Sequence, residues 1–217
     1  MIIRQMALGP IQANCFILGC EKTRKAAIID PGDDTDRILT TLAGDQLTVE
    51  KIINTHGHFD HVGANKRLKD VTGADILIHS ADAPMLSQLS ASAAAWGMRA
   101  ENSPGADQLL EDGDKITFGT ITMTVLHTPG HTPGGICLYT EYENNGAPQK
   151  AVFVGDTLFA GSIGRTDFPG GSFETLINSI RTKLFELDED VKVYPGHMGN
   201  TTIGVEKRSN PFCGVGA

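Results

Sequence analysis

The chain is short of several things that would assign it quickly. Aromatic residues are only 6% of its 217 positions, and its four cysteines (Cys15, Cys20, Cys137 and Cys213) are scattered with no Cys-x-x-Cys spacing. Cys15 and Cys20 stand five apart in a strand-like stretch, so they project to opposite faces and cannot bridge locally. All four read as reduced thiols, most of them core fillers, and no basic residues are arranged around them as a nucleophilic thiolate would need. The longest apolar runs are strand-sized, far short of the roughly 20 residues that span a bilayer. The opening MIIRQMALGP has neither the apolar segment nor the cleavage site of a signal peptide, so a cytoplasmic location is expected. Lysine and arginine number 18 against 26 acidic residues, a net charge of −8, with no basic cluster. Binding to nucleic acid or to an anionic membrane is therefore not expected. No internal repeat or low-complexity linker marks a boundary, and one domain over residues 1–217 is expected, as a monomer or small homo-oligomer.

What is present is turn chemistry: 25 glycines among short apolar runs. Three strands are expected in the first thirty residues, the third (Ala26–Ile29) stopping at Asp30-Pro31-Gly32. A helix is expected from Asp33 to Ala43, a strand over Val49–Ile53, a helix from about Val62 to Val71, a strand at Ile76–Ile78 and an Ala-rich helix over Ala81–Ala95. Strands then follow at Lys115–Phe118 and Thr120–Leu126. Gly135–Tyr139 and Lys150–Val154 flank a polar turn, Glu143-Asn144-Asn145-Gly146. Ser172 reads as the N-cap of a helix reaching about Leu187, and Val191–Tyr194 is the last strand before a short helix. This order of strands and helices suggests two sheets covered by helices. The Ala-rich stretch from Ala81 through Trp96 to Met98 is a candidate pocket lining, although Met85, Leu89 and Trp96 have the spacing of core residues.

The apolar strands end in a consistent way. Five of them run into Asp30, His56, His131, Asp156 and His197, each held by tight-turn residues. Strand ends on one edge of a layered α/β domain converge on a crevice, which is where such folds place ligands. In His56-Gly57-His58-Phe59-Asp60-His61, His56 and His58 project the same way from extended chain, while Asp60 and His61 open the following helix. A helix N-terminus disfavours imidazolium and keeps His61 able to coordinate. The candidate ligands are His56, His58, His61, His131 and His197 with Asp60 and Asp156. One of these carboxylates could bridge, and with a shared water the set makes two four-coordinate sites. Such sites suit two divalent ions, Zn²⁺ first, with Fe and Mn also open. Two ions about 3.5–4 Å apart hold a hydroxide between them and polarise a substrate oxygen. His79 and His127 have no assigned role.

In this order, THGHFDH, TPGHTPG, GDT and PGH resemble the metallo-β-lactamase superfamily over nearly the whole chain. Within it, Gly155-Asp156-Thr157-Leu158-Phe159, Gly164-Arg165-Thr166-Asp167-Phe168 and Asn210-Pro211-Phe212 resemble the short glyoxalase II-like hydrolases. The resemblance implies an α/β fold, the four-layer αββα sandwich. It implies one metal on His56, His58 and His131, a second on Asp60, His61 and His197, Asp156 bridging them, and Asp30 behind the ligands. It also implies hydrolysis of an S-2-hydroxyacylglutathione-type thioester, with Asp60 orienting the attacking hydroxide. A thiolate leaving group needs little help from a general acid.

The departures are informative. Full-length glyoxalase II continues into a C-terminal helical region that holds glutathione, and no such separate domain is expected here. Arg165 falls where that family has a basic residue near glutathione and is the candidate substrate-binding side chain. Met198 stands where glycine is usual. Asp156 speaks against lactamase activity, since true metallo-β-lactamases often lack the bridging Asp, and 217 residues leave no room for the inserted domains of nuclease members. The alternative activity on this fold is a mononuclear iron persulfide dioxygenase, which shares Gly-Arg-Thr-Asp-Phe but tends to carry Ala before the final His.

Overall fold

A computed structural model describes residues 1–144 and 146–217. It resolves into two compact units, one of residues 1–110 and 117–121, the other of residues 111–116 and 122–217.

The first unit is built on a six-stranded sheet ordered along the chain: β1 (Ile2–Leu8), β2 (Ala13–Gly19), β3 (Lys25–Ile29), β4 (Thr48–Ile53), β5 (Asp75–His79) and β6 (Gln108–Leu110). The first three strands form an antiparallel meander, and β3 to β6 run parallel. Parallel strands need crossovers, and the chain supplies helices for them. α1 (Thr35–Gly44) buries Ile38 and Leu42, four apart on one face. α2 (Phe59–Val62) and α3 (Asn65–Thr72) divide the single helix expected near Val62–Val71. The break has a cause: Gly63 packs directly on the Gly32 carbonyl, and the Ala64 amide donates to the Pro31 carbonyl at 2.9 Å instead of continuing α2. The Ala-rich stretch is not one helix either. Pro84 opens a 3₁₀ segment (Ala83–Gln88), and only α4 (Leu89–Ala94) is α-helical. Ile17, Ile28, Ile52, Ile76, Leu68 and Leu86 lie in the core of this unit.

The second unit carries β7 (Lys115–Phe118), β8 (Ile121–His127), β9 (Ile136–Asn144), β10 (Ala147–Gly155), β13 (Lys192–Pro195) and β14 (Thr201–Thr202) in the order β14-β13-β10-β9-β8-β7. A small hairpin, β11 (Leu158–Phe159) and β12 (Ser162–Ile163), stands beside them. β9 and β10 are longer than expected: Glu143 and Asn144 are strand, paired with Pro148 and Ala147, and Asn145 of the expected turn lies outside the described residues. α5 (Phe173–Ser179) starts at Ser172, whose Oγ accepts from the Thr175 amide at 3.3 Å as expected. It runs into a π turn (Ile180–Leu184) before the chain reaches β13 and α6 (Ile203–Ser209). Val152, Val154, Leu176, Ile180, Val193 and Ile203 are in the core of this unit.

All four cysteines are free and buried. Burial pushes the Cys137 and Cys213 thiols up to about 12, in keeping with packing rather than chemistry. Burial also raises Cys20, but hydrogen bonds from Thr120 and Thr23 outweigh it and bring that thiol to about 6. No helix among the described residues is long and apolar enough to cross a membrane.

Candidate metal centre

In the first unit the site grows from the edge where the parallel strands β3 and β4 end together. Ile29 pairs with Ile53, and the Asp30 amide donates to the Ile53 carbonyl at 3.0 Å, which sets Asp30 beside the loop after β4. That loop is pinned by a buried clasp: Asn65 Nδ2 donates to Asn54 Oδ1 at 2.8 Å, and Asn54 Nδ2 donates back at 3.3 Å. Asp82 accepts from the Gly57 amide at 3.0 Å, and a Cβ on Gly57 would meet Met85 at 2.7 Å. Met85 thus backs the histidine loop, Leu89 is core, and Trp96 is 53% exposed.

Asp30 organises the histidines. It is 1% exposed and sits at φ 50°, a left-handed conformation that Asp and Asn tolerate better than most residues. Its Oδ1 accepts from the Thr55 amide at 2.7 Å. Its Oδ2 accepts from Thr55 Oγ1 at 2.6 Å and from His61 Nδ1 at 3.1 Å. The Thr55 hydroxyl has spent its proton on Asp30, so at 3.1 Å from His56 Nδ1 it acts as acceptor. Both His56 and His61 therefore carry their proton on Nδ1, which leaves each Nε2 a lone pair. The two rings lie 4.2 Å apart, centre to centre, and the half-buried His58 ring stands edge-on to His56 at 4.8 Å. Donor atoms of Asp30, His56 and His61 lie within 4.8 Å of one another, and His61 Nε2 is 3.6 Å from Asp60 Oδ2. The His61 Nε2 lone pair facing Asp60, with the His56 and His58 rings beside it, is a donor set that suits a borderline divalent cation.

The second unit presents the other three candidates. β10 and β13 run parallel and end together, and the Gly196 amide donates to the Gly155 carbonyl at 2.7 Å, tying the Asp156 turn to the His197 turn. Asp156 Oδ2 lies 3.6 Å from His131 Nε2 and 3.6 Å from His197 Nε2. His131 Nδ1 lies 2.7 Å from the Arg165 carbonyl, which can only accept, so its Nε2 too keeps the lone pair. Thr128 and Thr157 hydroxyls meet at 3.1 Å beneath these turns. One glycine in each unit admits the close packing. A Cβ on Gly32 would overlap the Asp60 carbonyl, and a Cβ on Gly164 would overlap the Asp156 carbonyl and approach His131 Cγ at 3.3 Å.

The Arg165 side chain is committed locally. Nε and Nη2 donate to Asp167 at 2.8 and 2.7 Å, and the guanidinium carbon stands 3.7 Å from the Phe168 ring centre. The hydrogen bonds from Arg165 hold the Asp167 carboxyl down at about 2. Met198 adopts φ 67° and is 63% exposed, which gives a physical reason for glycine to be usual there. His79 and His127 are structural: His79 Nδ1 accepts from the Ala81 amide, and His127 Nε2 donates to the Pro133 carbonyl at 2.9 Å, bracing the loop that carries His131.

Residues 8–197 match the family model described as metallo-beta-lactamase superfamily. The chain belongs to the metallo-β-lactamase superfamily. Its fold is the metallo-β-lactamase fold, α/β with two sheets, as expected, and it is a metal-dependent hydrolase of that superfamily. Among relatives, it is 40% identical over 219 residues to the hydroxyacylglutathione hydrolase GloC of Haemophilus influenzae, covering 98% of each chain. Three solved structures are also similar. The BLEG-1 B3 metallo-beta-lactamase has a TM-score of 0.88 at 38% identity, covering 98% of this chain and 99% of that one. TTHA1623 in a di-iron-bound form has a TM-score of 0.84 at 37% identity, covering 96% and 99%. ETHE1 from Myxococcus xanthus has a TM-score of 0.80 at 32% identity, covering 98% and 84%.

Proposed function

We propose that this superfamily member hydrolyses thioesters of the S-2-hydroxyacylglutathione type with two divalent ions. In this reading His56, His58 and His131 hold one ion, Asp60, His61 and His197 the other, and Asp156 bridges. The observation that carries it is Asp156 Oδ2, 3.6 Å from Nε2 of both His131 and His197, so that one carboxylate faces a candidate ligand of each set. Bound ions would activate water and polarise the substrate carbonyl. The chain's own groups do the rest. Asp30, through Thr55 and directly, keeps His56 and His61 in the coordinating tautomer, and the Arg165 carbonyl does this for His131. Asp60 orients the attacking water while ligating. No positioned acid is needed for a thiolate to leave, as its pKa is near 8.5. Arg165 is the candidate for holding a glutathione carboxylate, which requires it to exchange Asp167 for substrate. The 40% identity to a hydroxyacylglutathione hydrolase supports the substrate class.

Zinc-loaded and anaerobically iron-loaded protein, assayed in parallel on a hydroxyacyl thioester, a matched amide, a β-lactam and glutathione persulfide, tests the reading. Thioester hydrolysis well above amide and β-lactam turnover is expected. Oxygen-dependent turnover of the persulfide with one iron per chain would move the protein to the dioxygenase activity, and β-lactam rates equal to thioester rates would make it a lactamase.

A further inference from the structure

The first unit has a pocket of its own, and Met98, at the end of the Ala-rich stretch expected to line one, is in its wall. It encloses about 200 Å³ and is walled by Leu8, Ile11, Phe59 and Met98, with Asp33, Asp60 and Arg99 as charged lining. That volume is below the usual range for a whole drug-sized ligand, so the pocket suits one arm of a conjugate. Most of the arginines are committed: Arg37 and Arg181 donate to the Ala7 and Cys213 carbonyls, and Arg4, Arg67, Arg165 and Arg208 each pair with a carboxylate. Among the described arginines, only the side chains of Arg24 and Arg99 make no hydrogen bond or ion pair with any described residue. The nearby acids do not claim it. Glu101 pairs with Lys66 at 2.8 Å, and Asp33, also in the pocket wall, accepts from the Asp34 amide at 2.7 Å. An exposed guanidinium lining a pocket with mixed polar and apolar walls, its five donors uncommitted, is a fork for a planar anion.

We infer that Arg99 is the specificity residue of this pocket, gripping a carboxylate at the end of one arm of the substrate while the apolar walls hold the chain leading to it. This rests on the thioester reading and on Asp60 sharing the pocket. The carboxylate can belong to the acyl arm or to the thiol arm.

Non-hydrolysable thioether analogues separate the two sources. One carries its carboxylate on the acyl-side arm and one on the thiol-side arm, each matched by its carboxamide. Binding is measured by titration calorimetry to zinc-loaded wild type, Arg99→Ala, Arg99→Lys and Arg165→Ala. Wild type should bind one of the carboxylates at least about tenfold tighter than its carboxamide. Arg99→Ala should abolish that preference and Arg99→Lys should keep part of it, while Arg165→Ala, which the functional reading ties to a glutathione carboxylate, shows which of the two arginines the preference depends on. Thermal melts establish that each variant is folded. A preference that survives Arg99→Ala, one that is lost in Arg165→Ala instead, or none in wild type overturns the inference. Failure of the functional reading shows separately, as wild type that turns over no thioester.

Discussion

Asp30 Oδ2 lies 3.1 Å from His61 Nδ1 and on the same oxygen accepts the Thr55 hydroxyl that faces His56. One buried carboxylate oxygen thus sets the proton positions of two candidate ligands. Replacing it with an amide would present a donor to at least one donor. Asp30→Asn keeps a side chain that tolerates the left-handed backbone, so the variant should fold. Its zinc affinity should fall about 10–100-fold, read by chelator competition. Unchanged affinity would show that the histidines do not need Asp30 to coordinate.

Stoichiometry tests the paired sites. Wild-type protein reconstituted with excess zinc should hold two ions per chain, and His197→Ala should hold close to one with its circular dichroism unchanged. His197 is half-buried at the end of β13, so truncating it opens no core cavity. A single ion in wild type under every condition would remove the dinuclear reading.

Asp167 offers a pH test. Its carboxyl lies at about 2, first because of the hydrogen bonds from Arg165, whereas an unperturbed Asp titrates near 3.9. A depressed folded value means that the stability contributed by the pair is present above the unfolded pKa and is lost as pH falls from about 4 through about 2. Carboxyl NMR should place the Asp167 titration near the lower value, and Arg165→Ala should return it toward about 3.9. An Asp167 titration near the ordinary value in wild type would mean that the fork is not engaged in solution.

Met198 should be a site of inexpensive stabilisation. A non-glycine residue in the left-handed region costs about 1–2 kcal/mol, and glycine returns about 0.5–1 kcal/mol of that through its freer unfolded chain. Met198→Gly should raise Tm by about 1–4 °C in a chain of this size. A fall in Tm would mean that the exposed Met side chain contributes packing that outweighs the backbone strain.

The candidate ligands were legible because their signals are local. An apolar run that stops at a Gly- or Pro-bounded His or Asp can be read without knowing the partner strand. Thr55 and the Arg165 carbonyl were not legible. A threonine beside a histidine is common, and a carbonyl acceptor carries no residue type at all. The broken helix at Gly63 and the 3₁₀ segment after Pro84 also escaped, the first because it depends on the distant Gly32 backbone. Short β6 has three residues, too few for a period to appear. Exposed Arg99 looks like any solvated charge until the pocket around it is seen.

Gly32 and Gly164 carry no chemistry, but each leaves room for the backbone carbonyl of an aspartate, Asp60 or Asp156, that the metal reading depends on. They define a boundary for anyone redesigning this scaffold. Histidines can be exchanged, and new metals or substrates tried, as long as these two positions stay empty of a side chain. Libraries that randomise positions 32 and 164 along with the ligands will mostly sample collapsed loops, and a dead variant from them reports on steric exclusion rather than on catalysis.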